Sequence, residues 1–278
     1  VPGRPEGTDG RSVAVLGLGE AGSIYARDLA GRGLKVTATD PAVPAVPPGV
    51  ARARGISDAV AGAHVVFSLV GGQAAEAVLV EALAAMDPGA IFADLNTAGP
   101  AQKRQLAERA ARSGFLFADV AILAPVPRSR ISSPLLVSGT GADELVSLLP
   151  GWGIPATSAG SEAGAAAGRK LLRSVFMKGL AATVLESVTA AEAAGARDWI
   201  ITQIAAELGP SGDVLVARLL DGTRLHAVRR EMEMSEARDF LDSLGAAHPV
   251  TDATIEWLHS LAHHRQDQDG GQAADSPS

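Results

Sequence analysis

Apolar and polar positions along residues 11–160 alternate between two periods. SVAVLG (12–17) is a short apolar run of strand length. EAGSIYARDLAGRG after it spaces its apolar residues as a helix does, with Ile24 and Leu29 inward and Gly31 and Gly33 at its end. LKVTATD predicts a second strand ending at Asp40, and the Pro-rich PAVPAVPPG behind it predicts a loop. HVVFSLV, AIFADLN, FLFADVAIL and PLLVSG read as further strands. AAEAVLVEALAAM and PAQKRQLAERAARSG read as helices, the second opened by Pro100. Short apolar strands alternating with helices predict an α/β domain: a mainly parallel, doubly wound sheet with helices on both faces and right-handed crossovers.

The pattern changes near Gly160. Past WGIPATSAG no run has strand character, and helical periodicity continues to about His264. It is broken at GARD, LGPSGD and LGAAHPVT, with Asp213, Asp221, Ser235 and Thr251 as expected N-terminal caps. An all-helical domain at 161–264 is therefore expected after the sheet domain at 11–160. Residues 1–10 and the polar, Gly/Asp/Gln-rich 265–278 are expected to be disordered.

Composition narrows the classes of function. The chain has 278 residues, 47% of them hydrophobic, enough for one or two domains with sizeable cores. Its formal net charge of −7 argues against a general nucleic-acid binder. The lack of cysteine excludes disulfides, thiolate zinc sites and cysteine nucleophiles, and fits a reducing compartment. The N-terminal VPGRPEGTDGR has no apolar core of a secretory leader, and no apolar run is long enough to span a bilayer. The expected setting is the cytoplasm, with no membrane or nucleic-acid partner and no metal site.

GLGEAG places Gly17, Gly19 and Gly22 in the G-x-G-x-x-G spacing, with Leu18, Glu20 and Ala21 between them. The spacing alone is shared by many proteins. Here it directly follows a predicted strand and opens a helix, the context of a Rossmann dinucleotide fingerprint. Gly17 permits the tight turn, Gly19 lets backbone approach a pyrophosphate, Gly22 lets helix and strand pack closely, and free N–H groups at the helix start meet the phosphates. Asp40, about twenty residues on, is suited to accept hydrogen bonds from both ribose hydroxyls and to repel a 2′-phosphate. NAD is therefore expected over NADP, unless Arg52 or Arg54 folds back toward a phosphate. Leu69 and Val70, closing the third strand, and Asn96 and Thr97, just past the next, complete the expected cofactor edge.

The ordered set VLGLGEAG, DLNT, DVAILAPVP, GRKLLRSVFMKGL and HAVRREMEM resembles the β-hydroxyacid dehydrogenase and 6-phosphogluconate dehydrogenase superfamily, in the branch with a distinct C-terminal domain. The resemblance covers nearly the whole chain. It implies a dinucleotide-binding domain, a helical substrate and dimerisation domain, and an active site in the cleft between them. It also implies hydride transfer between NAD or NADP and a small hydroxy acid, within a homodimer. The family's catalytic lysine matches Lys170. Its partner four residues on, usually asparagine, is Ser174. The substrate loop that the family writes DAPVSGG survives only as DVAILAP, so Asp119 and Ala121 are expected substrate contacts without the serine and glycines. Where decarboxylating members carry a glutamate, this chain has Met177, so no decarboxylation is expected.

At about 100° per residue, Lys170, Ser174, Met177 and Lys178 share one side of a helix, with Leu172, Val175 and Phe176 opposite. Taken alone this is an ordinary amphipathic surface helix. In the implied fold the polar side lines the cleft, Lys170 is the acid/base, Arg173 tunes it, Ser174 orients substrate and Lys178 contacts an anion. His226 and Arg230, four apart, are the expected contacts for an acidic substrate group, in the same subunit or across the dimer. The rival reading pairs Arg229 with Glu233 on a helix surface. Two other functions share this sequence pattern: an imine reductase, and a dinucleotide-binding sensor without turnover.

Overall fold

The computed structural model describes residues 11–272, with side chains through residue 263. Among these residues eight strands form one sheet: β1 (Ser12–Leu16), β2 (Lys35–Thr39), β3 (Ala51–Arg52), β4 (Val65–Ser68), β5 (Ile91–Asp94), β6 (Leu116–Ile122), β7 (Leu135–Ser138) and β8 (Ala156–Ser158). Their order is β3-β2-β1-β4-β5-β6-β7-β8. All neighbours run parallel except β6 and β7. The strand order reverses between β1 and β4, and the crevice outside the carboxyl ends there is where such sheets take ligands.

Alternation explains why the strands read as unbroken apolar runs. Val13 and Val15 face one layer with Tyr25, Leu29, Phe67 and Trp152. Ala14 and Leu16 face the other with Val60, Leu79, Phe92 and Leu106. Both faces are covered, so the strands are apolar along most of their length, with buried polar residues such as Ser68, Asp94, Asp119 and Ser138 set among them. The covering helices are α1 (Glu20–Gly31), α2 (Ile56–Val60), α3 (Ala75–Leu83), α4 (Pro100–Arg112), α5 (Val126–Ser129) and α6 (Ala142–Leu148). The doubly wound sheet is as expected, but β3, β8 and α2 are too short to show a period in the sequence.

The helical part comprises α7 (Ala165–Ala193), α8 (Arg197–Glu207), α9 (Gly212–Leu225), α10 (Ala227–Ser243) and α11 (Pro249–Gln272). Its core repeats at helical spacing: Ala181, Val184, Leu185 and Val188 of α7 with Val216, Leu219 and Leu220 of α9. The chain divides into two compact units after Lys170, inside α7 rather than at residue 160. The first turn of α7 is hydrogen-bonded to sheet residues, as described below, so it folds with the sheet.

Three expectations need correction. The C-terminal helix continues through residues 265–272, part of the stretch expected to be disordered. No proline occurs between Pro249 and Pro277, so nothing in that stretch blocks the helix hydrogen-bond ladder. The rest of that stretch, and residues 1–10, lie outside the described residues. The cap assignments also fail: Asp213 and Thr251 lie in first turns, and Asp221 and Ser235 lie inside helices. On α7 the side read as apolar, opposite Lys170, is not the buried one: Leu172 and Phe176 are 46% and 67% exposed, whereas Ser174 is 8% exposed. Among the described residues no helix is long and apolar enough to cross a membrane.

One contact in the helical unit is pH-sensitive. His248 lies between the end of α10 and the start of α11, with Nε2 2.8 Å from Asp242 and Nδ1 2.9 Å from Asp252. The hydrogen bond to Asp242, reinforced by Asp252, outweighs partial desolvation and raises the imidazole pKa above its ordinary 6.5. A raised folded-state pKa stabilises the protein fully below the unfolded value and stops doing so as pH rises through the folded one. Wild type should therefore melt above His248→Gln at about pH 5.5, with the gap closing by about pH 9. Thermal unfolding at both values checks this; a gap independent of pH would show that the imidazolium is not the stabilising species.

Candidate active site

The turn after β1 is built by glycine. Gly17 has φ +92°, and a Cβ there would lie 2.5 Å from the Leu69 carbonyl oxygen. A Cβ on Gly22 would lie 2.0 Å from the Gly17 carbonyl oxygen, so α1 can pack against the turn only without a side chain there. Gly19 differs: a Cβ there meets nothing within 4 Å. The space above it is open, and α1 begins with Gly19 as its N-terminal cap and no side-chain cap bond. First-turn N–H groups of an uncapped helix suit a phosphate. Leu18 has a buried side chain and works through its backbone, its N–H donating to Asp40 Oδ2 at 2.7 Å. Glu20 is exposed and Ala21 half-buried beside it.

Asp40 follows β2 and organises the adjoining loop. Its Oδ1 accepts hydrogen bonds from the Ala42 and Val43 N–H groups at 2.7 and 3.0 Å. Desolvation raises the carboxyl pKa, but the Leu18, Ala42 and Val43 hydrogen bonds and the Arg52 charge together bring it below the ordinary carboxylate value. Arg52 folds under the loop, donating to the carbonyls of Asp40 and Val43. Arg54 pairs with Asp58 at 3.6 Å.

At the ends of β4 and β5 the polar groups turn inward. Leu69 and Val70 are half-buried beside the Gly17 turn. Asn96 is 5% exposed. Its Oδ1 accepts the Gly71 N–H at 2.7 Å, and its Nδ2 donates to Ser68 Oγ at 3.0 Å and to Asp94. The amide thus fixes the two loops to each other. Thr97 is the exposed neighbour, and its Oγ1 accepts a hydrogen bond from Lys170 Nζ at 3.3 Å.

Beneath this edge lies a buried charge cluster that the sequence reading missed. Lys103 is 1% exposed. Its Nζ donates to the Asp94 carbonyl at 2.9 Å and to Asp94 Oδ2 at 2.8 Å, and lies 3.4 Å from Asp119 Oδ1. Asp119 Oδ2 accepts from Ser138 Oγ and from the N–H groups of Gly164 and Ala167, at 3.0, 3.1 and 3.1 Å. The expectation that Asp119 and Ala121 touch substrate is corrected here. DVAI belongs to β6, so Asp119 is fully buried in the cluster and Ala121 is packed in the sheet. A signal for Lys103 was available: it shares the 3.6-residue stripe of Leu106 and Ala110, the buried side of α4.

In the helical unit, Ser174 Oγ accepts a hydrogen bond from Lys178 Nζ at 3.0 Å, and that ammonium lies 2.6 Å from Glu233. Glu233 also pairs with Arg229 at 3.6 Å, as the rival reading had it. Glu233 thus already neutralises Lys178, which the sequence offered as an anion contact. Arg230 donates to Thr223, and desolvation lowers its pKa from the ordinary guanidinium value. His226 is exposed and ends one helix as the next begins, with φ −118° and ψ 28°. It caps the N-terminus of α10, its carbonyl accepting the Arg230 N–H at 3.0 Å, so the two are linked at the start of that helix rather than within its interior.

The sheet order, the glycine turn with its open approach and the carboxylate after β2 are those of a dinucleotide-binding domain. Residues 12–142 match the family model for the NAD binding domain of 6-phosphogluconate dehydrogenase, and residues 191–261 match a domain of unknown function, DUF1932. The chain belongs to the β-hydroxyacid dehydrogenase/6-phosphogluconate dehydrogenase-like superfamily, in the branch with that C-terminal domain. A conserved hypothetical protein from Sinorhizobium meliloti 1021 is 31% identical, with 90% of this chain and 87% of that one covered and a TM-score of 0.73. A 3-hydroxyisobutyrate dehydrogenase from Mycobacterium tuberculosis, solved with L-serine, shares the fold at 22% identity and TM-score 0.77, covering 91% and 94%. An uncharacterized 28.5 kDa protein of Methanothermus fervidus is 28% identical over 151 residues. That match takes in 54% of this chain and 58% of the relative.

The glycines give a paired test. Gly19→Ala should fold with an unchanged melting temperature but bind NADH about tenfold or more weakly, since its methyl enters only ligand space. Gly22→Ala should destabilise by about 1–3 kcal/mol through overpacking. NADH titration by fluorescence and thermal unfolding separate the two. Equal effects on both quantities in both variants would contradict this assignment of roles.

Proposed function

We propose that this chain is an NAD-dependent oxidoreductase that interconverts a hydroxy acid and its oxo form without decarboxylation, with Lys170 as general acid/base. The observation that carries the reading is Lys170 Nζ at 3.3 Å from Thr97 Oγ1, at the ligand-binding edge of a sheet whose first turn carries the open glycine fingerprint. The nicotinamide, when bound, supplies the acceptor or donor of the hydride. Lys170 as free amine takes the proton of the substrate hydroxyl in oxidation, and as ammonium returns it in reduction. Thr97 accepts a hydrogen bond from that nitrogen and so restricts where it points. Asn96 acts behind it, holding the loops at Gly71 and Asp94 together.

NAD is favoured over NADP. The Asp40 carboxylate is held ionised just past β2, where it would meet the ribose, and Arg52 and Arg54 are engaged with loop carbonyls and Asp58. Met177 offers no proton for an enol intermediate, which removes the acid that decarboxylation of this type needs. Arg230, with His226 near it in sequence, is the proposed contact for the substrate's acidic group, because a guanidinium binds a carboxylate bidentately. Ser174 orients substrate through its hydroxyl, and Lys178 holds Glu233 rather than an anion.

Lys170→Met should lower turnover by about 100-fold or more while leaving the NADH dissociation constant within about threefold. Initial rates on panels of hydroxy acids, oxo acids and cyclic imines, with NADH and NADPH titrated separately, check this. Unchanged turnover in Lys170→Met removes it from the mechanism, and rapid cyclic-imine reduction would make the protein an imine reductase. Tight NADH binding with no turnover on any panel would favour a sensor.

We also propose a homodimer formed through the helical unit. Leu172, Phe176, Trp199, Leu225, Val228 and Met232 are each 46–67% exposed, and covering them would supply the apolar burial that a dimer needs. Sedimentation should give a dimer, and Trp199→Asp with Met232→Asp should shift it to monomer. A monomeric wild type overturns the proposal.

A further inference from the structure

The buried cluster under the sheet edge places two carboxylates and one ammonium together, Asp94, Asp119 and Lys103, each at most 1% exposed. Together they carry one net negative charge, and a buried charge needs a compensating one nearby. The start of α7 supplies it. Asp119 Oδ2 accepts the Gly164 and Ala167 N–H groups, and Ser138 Oγ, which donates to that same oxygen, accepts the Ala166 N–H at 3.0 Å. These donors carry the partial positive charge of a helix N-terminus. A Cβ on Gly164, at φ +92°, would lie 2.7 Å from the Pro100 carbonyl oxygen, so the chain enters α7 tight against α4, the helix that carries Lys103. Lys170 follows Ala167 by three residues, less than one helical turn.

We infer that Asp119 and Lys103 are positioning residues for Lys170. Asp119 caps the helix that carries the lysine, and Lys103, 3.4 Å from its Oδ1, keeps it aligned, so that Lys170 Nζ is held against Thr97. The same cluster holds the other side of that contact. Lys103 binds both the carbonyl and the carboxylate of Asp94, Asp94 accepts from Asn96, and Asn96 directly precedes Thr97. Both partners of the Lys170–Thr97 hydrogen bond are thus tied to one buried ammonium. An ordinary side-chain cap would fix the helix alone; this arrangement fixes the helix relative to the loop. The role of these residues rests on Lys170 being the acid/base, but their effect on its placement does not.

The test reads Lys170 directly. Full-length protein is acetylated with a trace of acetic anhydride, and each lysine's rate is measured by mass spectrometry, with Lys178 and Lys35 as internal references. Asp119→Asn removes the charge and one acceptor oxygen while keeping the shape. Ser138→Ala, which removes only the bridging hydroxyl, is the gentler second variant should Asp119→Asn not fold. Lys170 acetylation should rise about fivefold in Asp119→Asn, the shift expected from losing one capping acceptor, and about twofold in Ser138→Ala. Lys178 and Lys35 should be unchanged and NADH affinity should stay within about twofold. An unaltered Lys170 rate in either folded variant overturns the inference. So does an equal rise at Lys178 and Lys35, which would mark general loosening. If Lys170→Met keeps full turnover while acetylation still shifts as expected, the acid/base reading fails and the positioning claim stands.

Discussion

The sheet domain is organised around the burial of charge. Asp94, Lys103 and Asp119 lie under the carboxyl edge with essentially no access to water, where an uncompensated charge would cost several kcal/mol. Compensation is possible only if β5, β6, β7, α4 and the first turn of α7 each deliver a group to one place. The reversed β7 is part of that solution: its antiparallel register sets Ser138 opposite Asp119. The cost of misplacing any one group favours a single arrangement of the edge over its near alternatives, which apolar packing between interchangeable Val, Ala and Leu side chains would enforce less strictly.

Much of this was legible in the sequence where the signal is local. Strand length, helical period and the spacing of Gly17, Gly19 and Gly22 are properties of neighbouring residues, and they led to a doubly wound sheet with its fingerprint in the first turn. Asp40 was legible for the same reason. What stayed hidden depends on tertiary direction. Asn96 and Thr97 are adjacent, and nothing in DLNT says that the amide turns inward while the hydroxyl faces out. By resemblance Asp119 belongs to a substrate loop, whereas its strand continues to Ile122. Lys103 gives little sign of its burial, because a lysine in a charged helix ordinarily faces water. The break at His226 has no glycine or proline to announce it.

Membership of the superfamily makes the departures informative. Serine stands where the family usually has an amide, methionine in place of an acid, and DVAILAP in place of DAPVSGG, while the first turn keeps its glycines and the second strand its carboxylate. Dinucleotide recognition draws on backbone geometry that tolerates little change, because Gly17 and Gly22 leave no room for a methyl group. Substrate recognition draws on side chains that can be exchanged within an intact frame.

Helix α1 opens without a side-chain cap, over a glycine with open space above it. Such a start leaves donors that only solvent or a ligand can satisfy. A dinucleotide that meets those donors in the folded state has no equivalent partner in the unfolded chain, so its binding acts as folding free energy. At about a hundredfold excess over its dissociation constant it would add about 2.7 kcal/mol. The melting temperature of this protein would then rise with dinucleotide concentration, which ties the stability of its first turn to the ligand that completes it.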